Sequence, residues 1–139
     1  MSGISTEKGK VSKEIATSDV EKWLDFKNIK PEKRERFKGT IESMVLSVMD
    51  GSLVLKEEDM NWVHPLSFPV GAEKAVKELR FKPRLTAGDM KMNCTGAYAD
   101  GDGRIIGIIA ALTGLPKNVV ENLDTEDYNI AGGITLFFI

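Results

Sequence analysis

The stretch Ile108 to Gly133, "IIAALTGLPKNVVENLDTEDYNIAGG", constrains the fold more than any other part of the chain. An apolar helical run stops at Gly114-Leu115-Pro116, restarts at once, and stops again at Leu123 before a third start capped by Asp124 or Thr125. Ile105, Ile108, Ile109 and Leu112 recur at helical spacing ahead of the first joint, and Val119, Val120 and Leu123 follow it. Helices this short are marginal on their own and persist by burying an apolar side. The segment predicts a packing and docking unit, so binding proteins are the first function class to consider.

The remaining organisation points to an α+β fold, mainly helical, with a small antiparallel hairpin or sheet in the middle of the chain. Residues 1–14 are polar and rich in Ser and Lys, which predicts a flexible arm, and 15–139 is read as one compact domain. Within it, 15–51 reads as helical, 52–84 as the small sheet and 86–139 as helical again. Ser18 and Glu21 form a capping-box pattern ahead of Val20, Trp23, Leu24 and Lys27 on one helical face. Pro31 opens a single long helix carrying Phe37, Ile41, Met44, Val45 and Val48, with Gly51 as its left-handed stop. Val76, Leu79 and Phe81 alternate imperfectly with charged residues, while Pro65, Pro69 and Pro83 predict strands that are short, marginal or at an edge. Thr86 and Asp89 repeat the capping pattern, and "DGDG" from Asp100 to Gly103 reads as a loop, with Asp102 capping the helix after it.

Reactive chemistry is sparse. His64 is the only histidine and Cys94 the only cysteine, so no His-His or Cys-His metal pair and no intrachain disulfide can be assembled. His64, in the strand-like "WVHPL", reads as a structural or surface residue, and Cys94 as a half-buried thiol. Asp100 and Asp102 alternate like calcium ligands, but Arg104 occupies the third position and no distal glutamate is present. The glycines lack either phosphate-loop spacing. The sequence predicts no catalytic residue, metal or cofactor.

A net charge of -2 gives no reason to expect a nucleic-acid partner. Lys30, Lys33, Arg34, Arg36 and Lys38 are interleaved with Glu32 and Glu35 as on a solvated helix face. Arg80, Lys82 and Arg84 would share one side of a strand and form a basic ridge for an acidic partner. No signal peptide or membrane-spanning run is visible, and an intracellular protein is expected. The final "ITLFFI" must be covered, either by the chain's own core or by another subunit or client. Gly132 and Gly133 suit a close helix approach or a hinge.

The order of these pieces resembles the tail assembly chaperones of tailed bacteriophages, especially those of Mu-like contractile phages. The resemblance covers roughly Val63 to Ala131 and lies in "VHPLSFPVG", "VKELRFKPR", "LTAGDM", "IIAALTGLP" and "VVENLDTEDYNIA". Lys82-Pro83-Arg84 departs from the family's Arg-x-Pro ending of the hairpin, and the helix from Pro31 with its "GSLVLKEED" extension is additional. The resemblance implies a non-enzymatic protein of the bacterial cytoplasm that binds the tape measure protein and helps tail-tube subunits gather around it, as a monomer or a homo-oligomer. The expected partner-binding residues are Ile105, Ile108, Ile109, Leu112, Phe137 and Phe138, with Arg80 and Arg84 on the ridge. The alternative is a small structural subunit of the tail or baseplate that remains in the virion.

Overall fold

In the computed structural model, which describes residues 10–139, the first helix starts earlier than the capping pattern suggests. Helix α1 (Lys13–Phe26) is capped by Ser12, whose Oγ accepts from the Ile15 amide at 3.2 Å, and Ser18 lies inside it. Ala16 explains the shift. It is fully buried one turn before Val20, so the apolar face that includes Trp23 and Leu24 begins a turn sooner. Of the arm expected over 1–14, residues 1–9 lie outside the described residues; Lys10 bridges to Asp50, and the Val11 amide donates to the Met49 carbonyl.

The single helix expected from Pro31 is two helices. α2 (Pro31–Arg36) and α3 (Lys38–Met49) meet at Phe37, where φ is -109° and ψ is 29°. Phe37 there packs its ring edge-on to Phe137 with centroids 5.8 Å apart, a tertiary contact that outweighs helix continuity. Met44, Val45 and Val48 face the core at the predicted spacing, and Gly51 takes a left-handed turn at φ 87°.

Three strands come next, β1 (Val54–Lys56), β2 (Asn61–Val70) and β3 (Val76–Phe81), antiparallel in the order β1-β2-β3. Leu55, Trp62 and Phe81 oppose one another across the sheet and are all buried. The prolines do not mark an edge: β2, which carries Pro65 and Pro69, is the central strand and ten residues long. It tolerates them because β1 pairs only with Asn61–Val63 and the register against β3 shifts between Pro65 and Val70, so the missing donors fall where the ladder is incomplete.

The chain then turns helical again. α4 (Ala87–Asn93) begins at a complete Thr86–Asp89 capping box, whose hydrogen bonds hold the Asp89 carboxyl below the usual carboxylate range. A 3-10 turn at Gly96–Tyr98 leads into α5 (Gly101–Thr113), so "DGDG" is a helix start and not a loop. Asp100 holds the cap position without a side-chain cap bond, and Asp102 sits in the first turn. Gly114, at φ 75°, ends α5; α6 (Lys117–Val120) and α7 (Thr125–Thr135) come after it, the last capped by Asp124, which accepts from the Glu126 amide at 3.0 Å. A closing 3-10 turn spans Leu136–Phe138.

The fold is α+β and mainly helical, with its antiparallel sheet in the middle of the chain. α5 runs against α4, α6, α7 and β3. Its approach to the preceding turn depends on two glycines. A Cβ on Gly103 would overlap the Ala97 carbonyl oxygen, and one on Gly107 would lie 2.5 Å from that of Asn93. Among the described residues, no helix is long and apolar enough to cross a membrane.

Candidate functional site

The residues expected to contact a partner separate into two groups. Ile108 and Ile109 are 0% exposed, and Leu112 and Phe137 2%, so in this fold they form core and not a surface. α5 is enclosed by the sheet and neighbouring helices, which is why its apolar face is spent internally. Ile105 and Phe138 keep partial exposure, and Arg80 and Arg84 are exposed. The basic ridge is not formed: Arg80 pairs with Glu78 at 3.2 Å, Lys82 approaches Asp89 at 3.5 Å, and Arg84 lies beyond the end of β3 with its guanidinium 6.0 Å from the Phe26 ring.

Arg84 and Phe138 both lie near the end of α1, at a corner built from four parts of the chain: Arg84 against Phe26 and Phe138 against Lys27. α1 ends beside Asn28, a left-handed residue at φ 58°, and the Ile29 amide turns back to the Leu24 carbonyl. This places Phe26 and Lys27 at the corner. Phe137 anchors the last turn, edge-on to both Trp23 and Phe37 at 5.8 Å, and so sets Phe138 against Lys27. The Lys27 ammonium lies 3.7 Å from the Phe138 ring centroid and 5.8 Å from that of Trp23, and donates to the Pro83 carbonyl at 3.0 Å. Lys33 on α2 donates to the Ile139 carbonyl oxygen at 2.7 Å.

The corner is both greasy and positive. Phe26 is 46% and Ile139 55% exposed. Burial first, then the charges of Arg84 and Lys33, pull the Lys27 amine down to about 8. Among the described residues, no acidic side chain pairs with Lys27 or Arg84, whereas Lys33 is held by the main-chain oxygen of Ile139 and Arg34 nearby is neutralised by Asp25 at 2.9 Å. Such a surface can hold carboxylates beside apolar side chains.

No family model, curated protein or solved structure matches the chain.

The Lys27 amine gives the corner a chemical signature. At pH 8 about half of it is neutral, against less than ~1% of an ordinary lysine, so limited acylation and peptide mass mapping should find Lys27 modified ahead of exposed lysines such as Lys30 and Lys38. Modification of Lys27 no faster than theirs would contradict this environment.

A second polar cluster lies inside the protein. His64 and Asp127, 1% and 0% exposed, meet at 2.8 Å between Nε2 and Oδ1. His64 Nδ1 lies 2.6 Å from the Ser52 carbonyl oxygen, which only accepts, so that nitrogen carries a hydrogen. Asp127 also accepts from the Ser67 amide at 3.1 Å and the Phe68 amide at 3.2 Å. Among the described residues, no hydroxyl is hydrogen-bonded to the ring: Ser52 contributes its carbonyl, and Ser67 gives its amide to Asp127. The cluster ties α7 to the irregular half of β2, and His64 is a buried structural residue. Cys94 is half-buried, with its thiol 3.9 Å from the Arg104 carbonyl oxygen. Tyr128 lies near Asp102; burial, then that carboxylate's charge, raises its phenol above the usual value.

Sequence reasoning missed Phe26 and Asp127. Phe26 precedes a lysine at the end of a charged helix, and its role comes only from the arrival of Arg84. Asp127 reads as an ordinary first-turn acid, and its partner is 63 positions away.

Proposed function

We propose that the chain is a non-enzymatic assembly factor of the phage tail assembly chaperone type, which binds the tape measure protein and assists the gathering of tail-tube subunits around it in the bacterial cytoplasm. It acts by binding alone. The motif order from Val63 to Ala131 supports the family reading, and the exposed apolar surface of Phe26 and Ile139 beside the Arg84 guanidinium supports partner binding. An apolar-faced client would be captured by burial of its side chains against such a patch. Co-expression with a candidate phage's tape measure protein should shift that protein from the insoluble to the soluble fraction as a complex. A client equally insoluble with and without this chain would count against the proposal.

One observation favours the second reading, a permanent small subunit of the tail or baseplate: Ile108, Ile109, Leu112 and Phe137 are committed to the chain's own core and are not presented to a client in this fold. Quantitative mass spectrometry of purified particles separates the two. An assembly factor is missing from mature virions, and a structural subunit is present in fixed stoichiometry.

A further inference from the structure

β3 is an outer strand of the sheet, with β2 on one side only. In an antiparallel ladder, pairs that exchange both main-chain hydrogen bonds alternate with pairs that exchange none. Pro65 has no N–H, so Pro65 and Glu78 form a pair of the second kind, and by alternation so do Val63 and Arg80. The amides and carbonyls of Glu78 and Arg80 therefore point away from β2. Lys82 continues the alternation: its amide donates to the Leu112 carbonyl at the end of α5, at 3.2 Å. Among the described residues, no main-chain group outside the sheet bonds to that of Glu78 or Arg80, and both side chains are about half exposed. Buried amides are almost always paired, so these two face solvent.

A strand laid antiparallel along this edge must bring its own outward-facing residues opposite Glu78 and Arg80. A second copy of β3 can do so with Glu78 against Glu78, with Arg80 against Arg80, or with each Glu78 against the other copy's Arg80. The first two set like charges face to face, and the second also needs the edge at Lys82, which Leu112 occupies. The third turns about Leu79 and opposes unlike charges at both positions. Within one chain Arg80 already meets Glu78 at 3.2 Å, and that contact is kept, because the charges then alternate in sign around the axis. A foreign strand would need the same charges at the same spacing, which the chain's own β3 carries. We infer that the β3 edge pairs two copies of this chain antiparallel about Leu79, joining their sheets into one. This goes beyond the proposed role and does not depend on it, since the pairing is read with no client present.

Sedimentation velocity and residue-level hydrogen exchange of the full chain, each over a range of concentration, test the pairing. A monomer–dimer equilibrium is expected, with the Glu78 and Arg80 amides gaining protection as the dimer forms. Glu78→Arg alone opposes like charges, as does Arg80→Glu alone, and each should weaken self-association at least about tenfold. Mixed in equal amounts, the two variants should associate with each other as the native chain does with itself, because every facing pair is again of opposite sign.

A native chain that stays monomeric with those amides unprotected would overturn the inference. So would a dimer indifferent to both substitutions, or a mixture that associates no better than its components. Protection of the two amides only in a complex with the co-expressed tape measure protein would overturn it as well, by assigning the edge to a strand of that partner.

Discussion

Asp127→Ala should lower the free energy of unfolding by about 3–5 kcal/mol, because it leaves a buried histidine and two backbone amides without their shared acceptor. Against a total of roughly 5–15 kcal/mol for a domain, that is enough to leave a sizeable unfolded fraction near body temperature. His64→Ala should cost less, since the Ser67 and Phe68 amides keep the carboxylate and only the ring's contacts are lost. Asp127→Asn gives no full rescue: its amide has one accepting oxygen where three donors converge. The double variant should lose less than the sum of the two single losses, as expected of groups in one network. Urea denaturation monitored by Trp23 and Trp62 fluorescence reads all four proteins. A loss below about 1 kcal/mol for Asp127→Ala would show that the cluster does not tie the sheet to α7.

The second large effect reverses an ordinary rule. Replacing glycine by alanine inside a helix commonly stabilises by about 0.5–1 kcal/mol. At Gly103 and Gly107 the new methyl would strike the carbonyl oxygens of Ala97 and Asn93, which are backbone and cannot swing aside. Gly103→Ala and Gly107→Ala should each destabilise by about 1–3 kcal/mol, with α5 displaced from the preceding turn. Gly39→Ala is the internal control. Gly39 lies within α3 with nothing within 4 Å of an added Cβ, so the same substitution there should stabilise. Thermal melts of the three variants decide the matter, and matching gains at all three positions would mean that α5 does not lie so close to its neighbours.

Legible in the sequence were the features that neighbouring residues decide among themselves. The joint at Gly114–Pro116, the caps at Thr86 and Asp124 and the apolar face of Met44, Val45 and Val48 all stem from local spacing. The central antiparallel sheet was legible from the change of period. Failures came where distant contacts chose between local options. Ser12 and Ser18 are both plausible caps until the burial of Ala16 extends the apolar face, and the helix from Pro31 reads as continuous until Phe37 meets Phe137.

The candidate corner was only partly visible for the same reason. Arg84 and Phe138 stand out in the sequence, but as members of a basic ridge and of an apolar terminal stretch, with nothing to connect them. Their separate approaches to the end of α1 depend on Phe137 seating between Trp23 and Phe37 and on Pro83 accepting from Lys27. Apolar spacing on α5 marked Ile108, Ile109 and Leu112 as important, but could not tell a buried side from a presented one.

The carboxylate of Asp127 occupies backbone donors of β2 beyond the reach of β1. Those amides are therefore closed to an extended stretch of a second molecule, which would have to evict a buried acid before it could add to the sheet at that point. Loss of the acid would cost more than stability: it would uncover an intermolecular sticky edge, and turbidity at working concentration would rise together with the fall in melting temperature.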